Sequence, residues 1–118
     1  MGRQAMILVD RDGVIVAFAG DAEALTGHAP APVVGRDLDV IVPPDYRERH
    51  WAGFRAAMQS GVARAEGMGA AIPVMCADGD TRRFPARFTL VRDARGRAVG
   101  AAAAIVEPAA DDPPLFDL

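Results

Sequence analysis

Lysine is absent from this chain. All 13 basic residues are Arg, scattered among 16 acidic ones for a net charge of −3. That pattern argues against a phosphate-neutralising surface, and so against a nucleic-acid binder. No apolar run approaches the ~20 residues of a membrane span. Met1-Gly2-Arg3-Gln4 lacks the apolar core of a signal peptide. Cys76 is the one cysteine, so no internal disulfide can form. These absences together predict a cytoplasmic protein. Also missing are a phosphate loop, a cluster with metal-ligand spacing and a nucleophile beside a base. The carboxylate pairs Asp21/Glu23 and Asp37/Asp39 have no base or metal partner and read as caps and solvated charge. The chain is not expected to be an enzyme.

What remains is enough for one domain. A chain of 118 residues, 51% hydrophobic and 25% charged, supports a single core. Ala5–Val9 and Val14–Phe18 read as strands joined through Asp10-Arg11-Asp12-Gly13, a turn signal. Asp21 is placed to N-cap a helical turn that Gly27 ends. Residues 28–37 hold Pro30, Pro32 and Gly35 and predict a loop with at most one turn of helix. Asp37–Val42 is a short apolar element stopped by Pro43-Pro44. From Asp45 to about Gln59, Tyr46, His50, Phe54, Ala57 and Met58 fall on one helical stripe. Ser60-Gly61 terminates it.

Beyond Gly61 the apolar period becomes two. Met68, Ala70, Ile72 and Val74 are expected on one face of a strand. Ala77–Asp80 turns the chain, and Phe84, Ala86, Phe88 and Leu90 alternate with polar residues or Pro85 along the next strand. Ala94–Arg97 turns it again into a small-residue strand, Ala98–Val106. The order predicts an α+β domain over residues 1–107: a five-stranded antiparallel sheet with short helices and one longer helix on one face. Residues 108–118 form an acidic, Pro-containing tail.

Over residues 5–107 the chain resembles a PAS domain. The matching pieces are Asp12-Gly13, Ala22-x-x-Leu25-x-Gly27, Gly35, Pro43, Asp78-Gly79 and Arg95-Gly96, in that order. One departure is Ala19-Gly20, where the family often carries Asn. The resemblance implies a sensory and dimerisation module. A homodimer through the sheet is expected; the sequence does not name the output, which could be a kinase, a cyclase or phosphodiesterase, or a regulator domain. The flavin-photoadduct subgroup needs a Cys within an Asn-Cys-Arg-type helix, whereas Cys76 lies on a late strand.

The haem-binding PAS sensors are the more similar subgroup. Tyr46-Arg47-Glu48-Arg49-His50 looks like the segment that carries their proximal histidine. Glu66-Gly67-Met68 is similar to the stretch that supplies a second axial ligand in the phosphodiesterase-linked oxygen sensors. The likeness implies haem b held between His50 and Met68. The helix from His50 to Gly61 climbs about 16 Å, and seven extended residues retrace roughly 25 Å, so Met68 can return to the level of His50. Small residues on the last strand, Ala101 and Ala103, leave volume between them. Phe54, Ile72, Leu90 and Ala103 are the candidate haem contacts. Arg64, ahead of Arg55, is the candidate for the propionates. Ala70 stands where related sensors have an Arg that can donate to bound O₂, which favours redox or CO/NO sensing over tight O₂ binding.

Residue chemistry alone leaves a second reading open. His50 is equally placed to be a hydrogen-bonded core residue, and Met68 to be a filler of the core. The domain is then a non-haem interaction module, or binds another small apolar ligand. His28 is expected at the surface and Trp51 at a rim.

Overall fold

Three aspartates fold the sheet back on itself. The computed structural model describes residues 2–63 and 66–108. In it the Asp10 carboxylate accepts hydrogen bonds from the N–H groups of Asp12 (2.9 Å) and Val14 (3.0 Å). Asp78 receives Asp80 N–H in the same way, and Asp93 receives Arg95 and Arg97. A short side chain that mimics a backbone acceptor makes each turn self-closing. The turns link β1 (Gln4–Asp10) to β2 (Ile15–Gly20), β3 (Gly69–Met75) to β4 (Thr81–Arg92), and β4 to β5 (Ala98–Val106).

The five strands form one antiparallel sheet in the order β2-β1-β5-β4-β3. This is the architecture expected from the sequence. The last strand of the chain lies at the centre, so the two ends of the domain meet. Arg3 N–H donates to the Glu107 carboxylate at 3.0 Å, and Glu107 N–H returns to Arg3 O at 2.9 Å. The inward row runs through Ile7, Ala103 and Phe88 across β1, β5 and β4, continued by Phe84 and Ile72 across β4 and β3. The tail 109–118 and Arg64 lie outside the described residues.

Helices cover the inner face. α1 (Ala22–Thr26) is one turn, ended by Gly27 at φ 79°. Asp21 does not cap it through its side chain as expected. Its carboxylate instead accepts Gln4 N–H at 3.0 Å and fastens α1 to β1. α2 (Pro30–Val33) is the single turn that the Pro-rich stretch allows. Two 3-10 turns follow, Leu38–Val40 capped by the Asp37 side chain, and Pro44–Tyr46. The second runs into α3 (Arg47–Ser60), which Gly61 ends in the left-handed conformation.

The seam between hairpin and helix is tight at Gly13. Its φ is +79°, and a Cβ there would overlap the six-membered ring of Trp51. Glycine is thus required twice over, by conformation and by space. Trp51 is not at a rim as expected: it is partly buried and packed on the main core, with its indole N–H on the Asp39 carboxylate at 2.7 Å. We expect Gly13→Ala to cost about 2–4 kcal/mol of unfolding free energy, from left-handed strain plus crowding. In a Trp51→Ala background the penalty should shrink to about 1 kcal/mol, since only the conformational part remains. Equal penalties in both backgrounds, measured by urea denaturation, would show that the indole is not what Gly13 makes room for.

Candidate functional site

α3 is tied down at both ends and stands off the sheet between them. At its start, Arg47 donates to Val42 O (3.1 Å) and Asp39 O (3.0 Å). At its other end Ala57 and Met58 pack with Leu90 and Ala98 in a small separate cluster. Between these anchors the helix turns Arg49, His50 and Phe54 toward a cavity of about 420 Å³, which Tyr46 of the preceding turn also lines. The opposite wall is the sheet: Ile7 and Val9 of β1, Ala101 and Ala103 of β5, Phe88 of β4, Ile72 and Val74 of β3. Leu38, Ile41 and Val42 close one side. The alanines matter, because larger side chains at those central positions would reach the helix and fill the gap.

His50 is the polar feature of this wall. Its ring meets Trp51 edge-on at 5.0 Å between centroids and lies nearly parallel to Phe54 at 6.1 Å. Its Nδ1 is buried and has no hydrogen-bond partner among the described residues. A buried nitrogen without a partner is an uncompensated cost. Burial holds the imidazole pKa below its ordinary value, partly offset by the Asp39 carboxylate. The ring is therefore neutral at pH 7, the form that has a lone pair to give. Among the described residues no group of three or more His, Cys, Asp or Glu is placed to hold a metal ion.

Four of the expected site residues meet around this cavity: His50, Phe54, Ile72 and Ala103. Leu90 does not. It is buried, but beneath the far end of α3 in the second cluster. Met68 does not either: it is 62% exposed and does not line the cavity. The alternation of β3 does not extend back to it. The strand begins at Gly69, and Gly67 just before Met68 takes φ 78°. Glu66 fixes that turn by accepting Leu90 N–H (2.8 Å) and pairing with Arg92 (2.6 Å), while Gly67 N–H donates to Phe88 O. Arg92, then the Leu90 N–H, hold the Glu66 carboxyl below the usual carboxylate range. The segment is thereby pinned to β4, with Met68 facing solvent.

Arg55 is exposed on α3 and does not line the cavity. His28 is half-buried, its Nε2 2.9 Å from Met75 O, not the surface residue expected. Reading the sequence missed Arg49, which lines the cavity three residues after Tyr46. Its position beside His50, at the edge of the helical stripe, was the available signal.

The model of the PAS fold matches residues 3–110. The chain belongs to the PAS family. An uncharacterized protein of Azorhizobium caulinodans is 34% identical over 87 residues, 73% of this chain and 12% of that protein. The oxygen sensor protein DosP of Escherichia coli is 30% identical over 84 residues, 71% of this chain and 10% of DosP. The chain thus spans about a tenth of the length of these curated relatives. The crystal structure of a PAS domain from Colwellia psychrerythraea superposes with a TM-score of 0.72 at 17% identity, covering 92% of this chain and 88% of that one. This PAS domain is a sensory module by family, and among its described residues no helix is long and apolar enough to cross a membrane.

The neutral, buried state of His50 has a measurable sign. The unfolded chain takes up this proton near pH 6.5, the folded chain only at lower pH. Between those values the unfolded state binds more protons, so stability falls as pH drops through 6.5 and levels off below the folded pKa. His50→Gln should remove that part of the pH dependence. An NMR titration placing His50 at or above 6.5 would contradict the burial described here.

Proposed function

We propose that this PAS domain is a haem-based sensor in which His50 is the protein ligand to iron. The reading is carried by the neutral imidazole of His50 in the wall of an apolar cavity. The match to an oxygen sensor at 30% identity supports it.

The residues fit the group. Haem asks for one axial nitrogen, an apolar slot and cations for its propionates. The cavity offers His50, walls of Ile, Val, Phe and Ala, and Arg49. Its volume falls in the ~300–1,000 Å³ range of small-molecule and cofactor sites. When bound, the iron supplies a redox-active centre that responds to its own oxidation state or to a diatomic gas. His50 holds the group through its neutral ring; Trp51 and Phe54 fix that ring's plane; the alanines of β5 keep the slot open. Met68 has no part in this version, because it lies outside the cavity. The signal passes to an output domain or a second copy through the outer sheet face, where Met6, Val91 and Val99 are exposed.

One observation favours a second reading, a non-haem apolar ligand: no second protein donor faces His50 across the cavity among the described residues.

Haemin titration of the purified domain separates the two. The expected outcome is a saturable Soret band that shifts on reduction. His50→Ala should abolish it. Ala103→Phe should block binding while the fold survives, since the added ring occupies the slot. Met68→Ala should leave the band in place; a shift with that variant would bring Met68 back as a ligand. A domain that folds yet gives no band with haemin would leave the non-haem reading.

A further inference from the structure

We propose that Arg49 is a carboxylate anchor at the mouth of the cavity, so that its ligand is an apolar body carrying a carboxylate. The inference rests on the reading of this cavity as the ligand site, and it goes further by naming the ligand's polar group and the residue that holds it.

Among the described residues Arg49 is the one charged side chain in the cavity wall. It stands in the first turn of α3, where a helix carries partial positive charge and disfavours a cation. Two arginines break that rule here. Arg47 has its reason: its guanidinium is spent on Val42 O, Asp39 O and, at 3.7 Å, the Asp39 carboxylate. Arg49 has no hydrogen bond or ion pair among the described residues. Its guanidinium carbon lies 4.9 Å from the Tyr46 ring centroid, a cation–π contact that orients it without neutralising it. The ion pairs among the described residues join Arg47, Arg82, Arg92 and Arg97 to acids, and none includes Arg49. Asp45 and Glu48 belong to the same stretch and are exposed, and neither is paired with it.

A second guanidinium strengthens the field. Arg83 Nη2 donates to the Tyr46 hydroxyl at 3.2 Å. The phenol is therefore flanked by two cations at the opening of a cavity whose interior is apolar. A guanidinium at a helix start that has an aromatic contact but no acceptor of its own among the described residues is open to an anion from outside the chain. A carboxylate is that something: a guanidinium fork binds it bidentately, while the ligand's apolar part takes the slot beside His50.

The carboxylate has two sources, a haem propionate or the head of a free fatty acid. The test measures affinity of the wild-type domain and of Arg49→Gln for four probes: haemin, haemin dimethyl ester, dodecanoate and dodecanol. Arg49 is exposed, so the variant is expected to fold, and circular dichroism checks it. The expected result is a loss of roughly tenfold for the carboxylate form of whichever pair binds, with its uncharged counterpart unchanged. Arg49→Lys should recover part of it, as a point charge without the fork. A loss seen with haemin but not its ester assigns the propionate. If haemin gives no Soret band while dodecanoate binding depends on Arg49, the haem reading fails and this inference stands. Equal effects on charged and uncharged probes, no effect on either, or no binding by any of the four would overturn it.

Discussion

Everything in this domain depends on how α3 is suspended. It is fixed at one end by Arg47 and Trp51, both bonded to Asp39 and its neighbours, and at the other by Ala57 and Met58 on Leu90. The span between is held away from the sheet by nothing more than the size of the residues beneath it. Ala101 and Ala103 are small, and the cavity lies over them. Filling that space would gain burial worth about 25 cal/mol per Å². The chain forgoes it, and a PAS domain that forgoes core packing at its centre has room for a guest.

The same suspension accounts for the state of His50. A partnerless buried nitrogen costs about 1–3 kcal/mol, and packing elsewhere must carry it. The rings of Trp51 and Phe54 hold the imidazole in place, so relaxing into solvent is not open to it.

Much of this was legible in the sequence, where one physical rule acted alone. The period-two pattern of Phe84, Ala86 and Phe88 and the helical stripe Tyr46–Met58 gave the elements and the faces that line the cavity. Glycines 27 and 61 gave the helix ends. The misses fall where two rules compete. Met68 continued the strand alternation on paper, but Gly67 reverses the local backbone first. Asp21 satisfied the rule for a helix cap and was claimed by a strand N–H instead. Leu90 shares its face with Phe88, yet the helix above it has already come down onto the sheet at that level. Arg49 was passed over because an arginine beside polar neighbours reads as solvated charge until a cavity is seen under it. Asp39, likewise, looked like solvated charge; its partner Trp51 is twelve residues away and announces nothing locally.

The contact of Trp51 with Gly13 has a mechanical consequence. An indole pressed onto a backbone with no side chain leaves no slack, since neither surface can yield by changing rotamer. The residue next to His50 therefore bears directly on the tip of the first hairpin. Were the helix to tilt or advance as a guest arrives, that tip would be displaced with it. In that event the hairpin would work as a pushrod, carrying the movement from the helix toward the outer edge of the sheet.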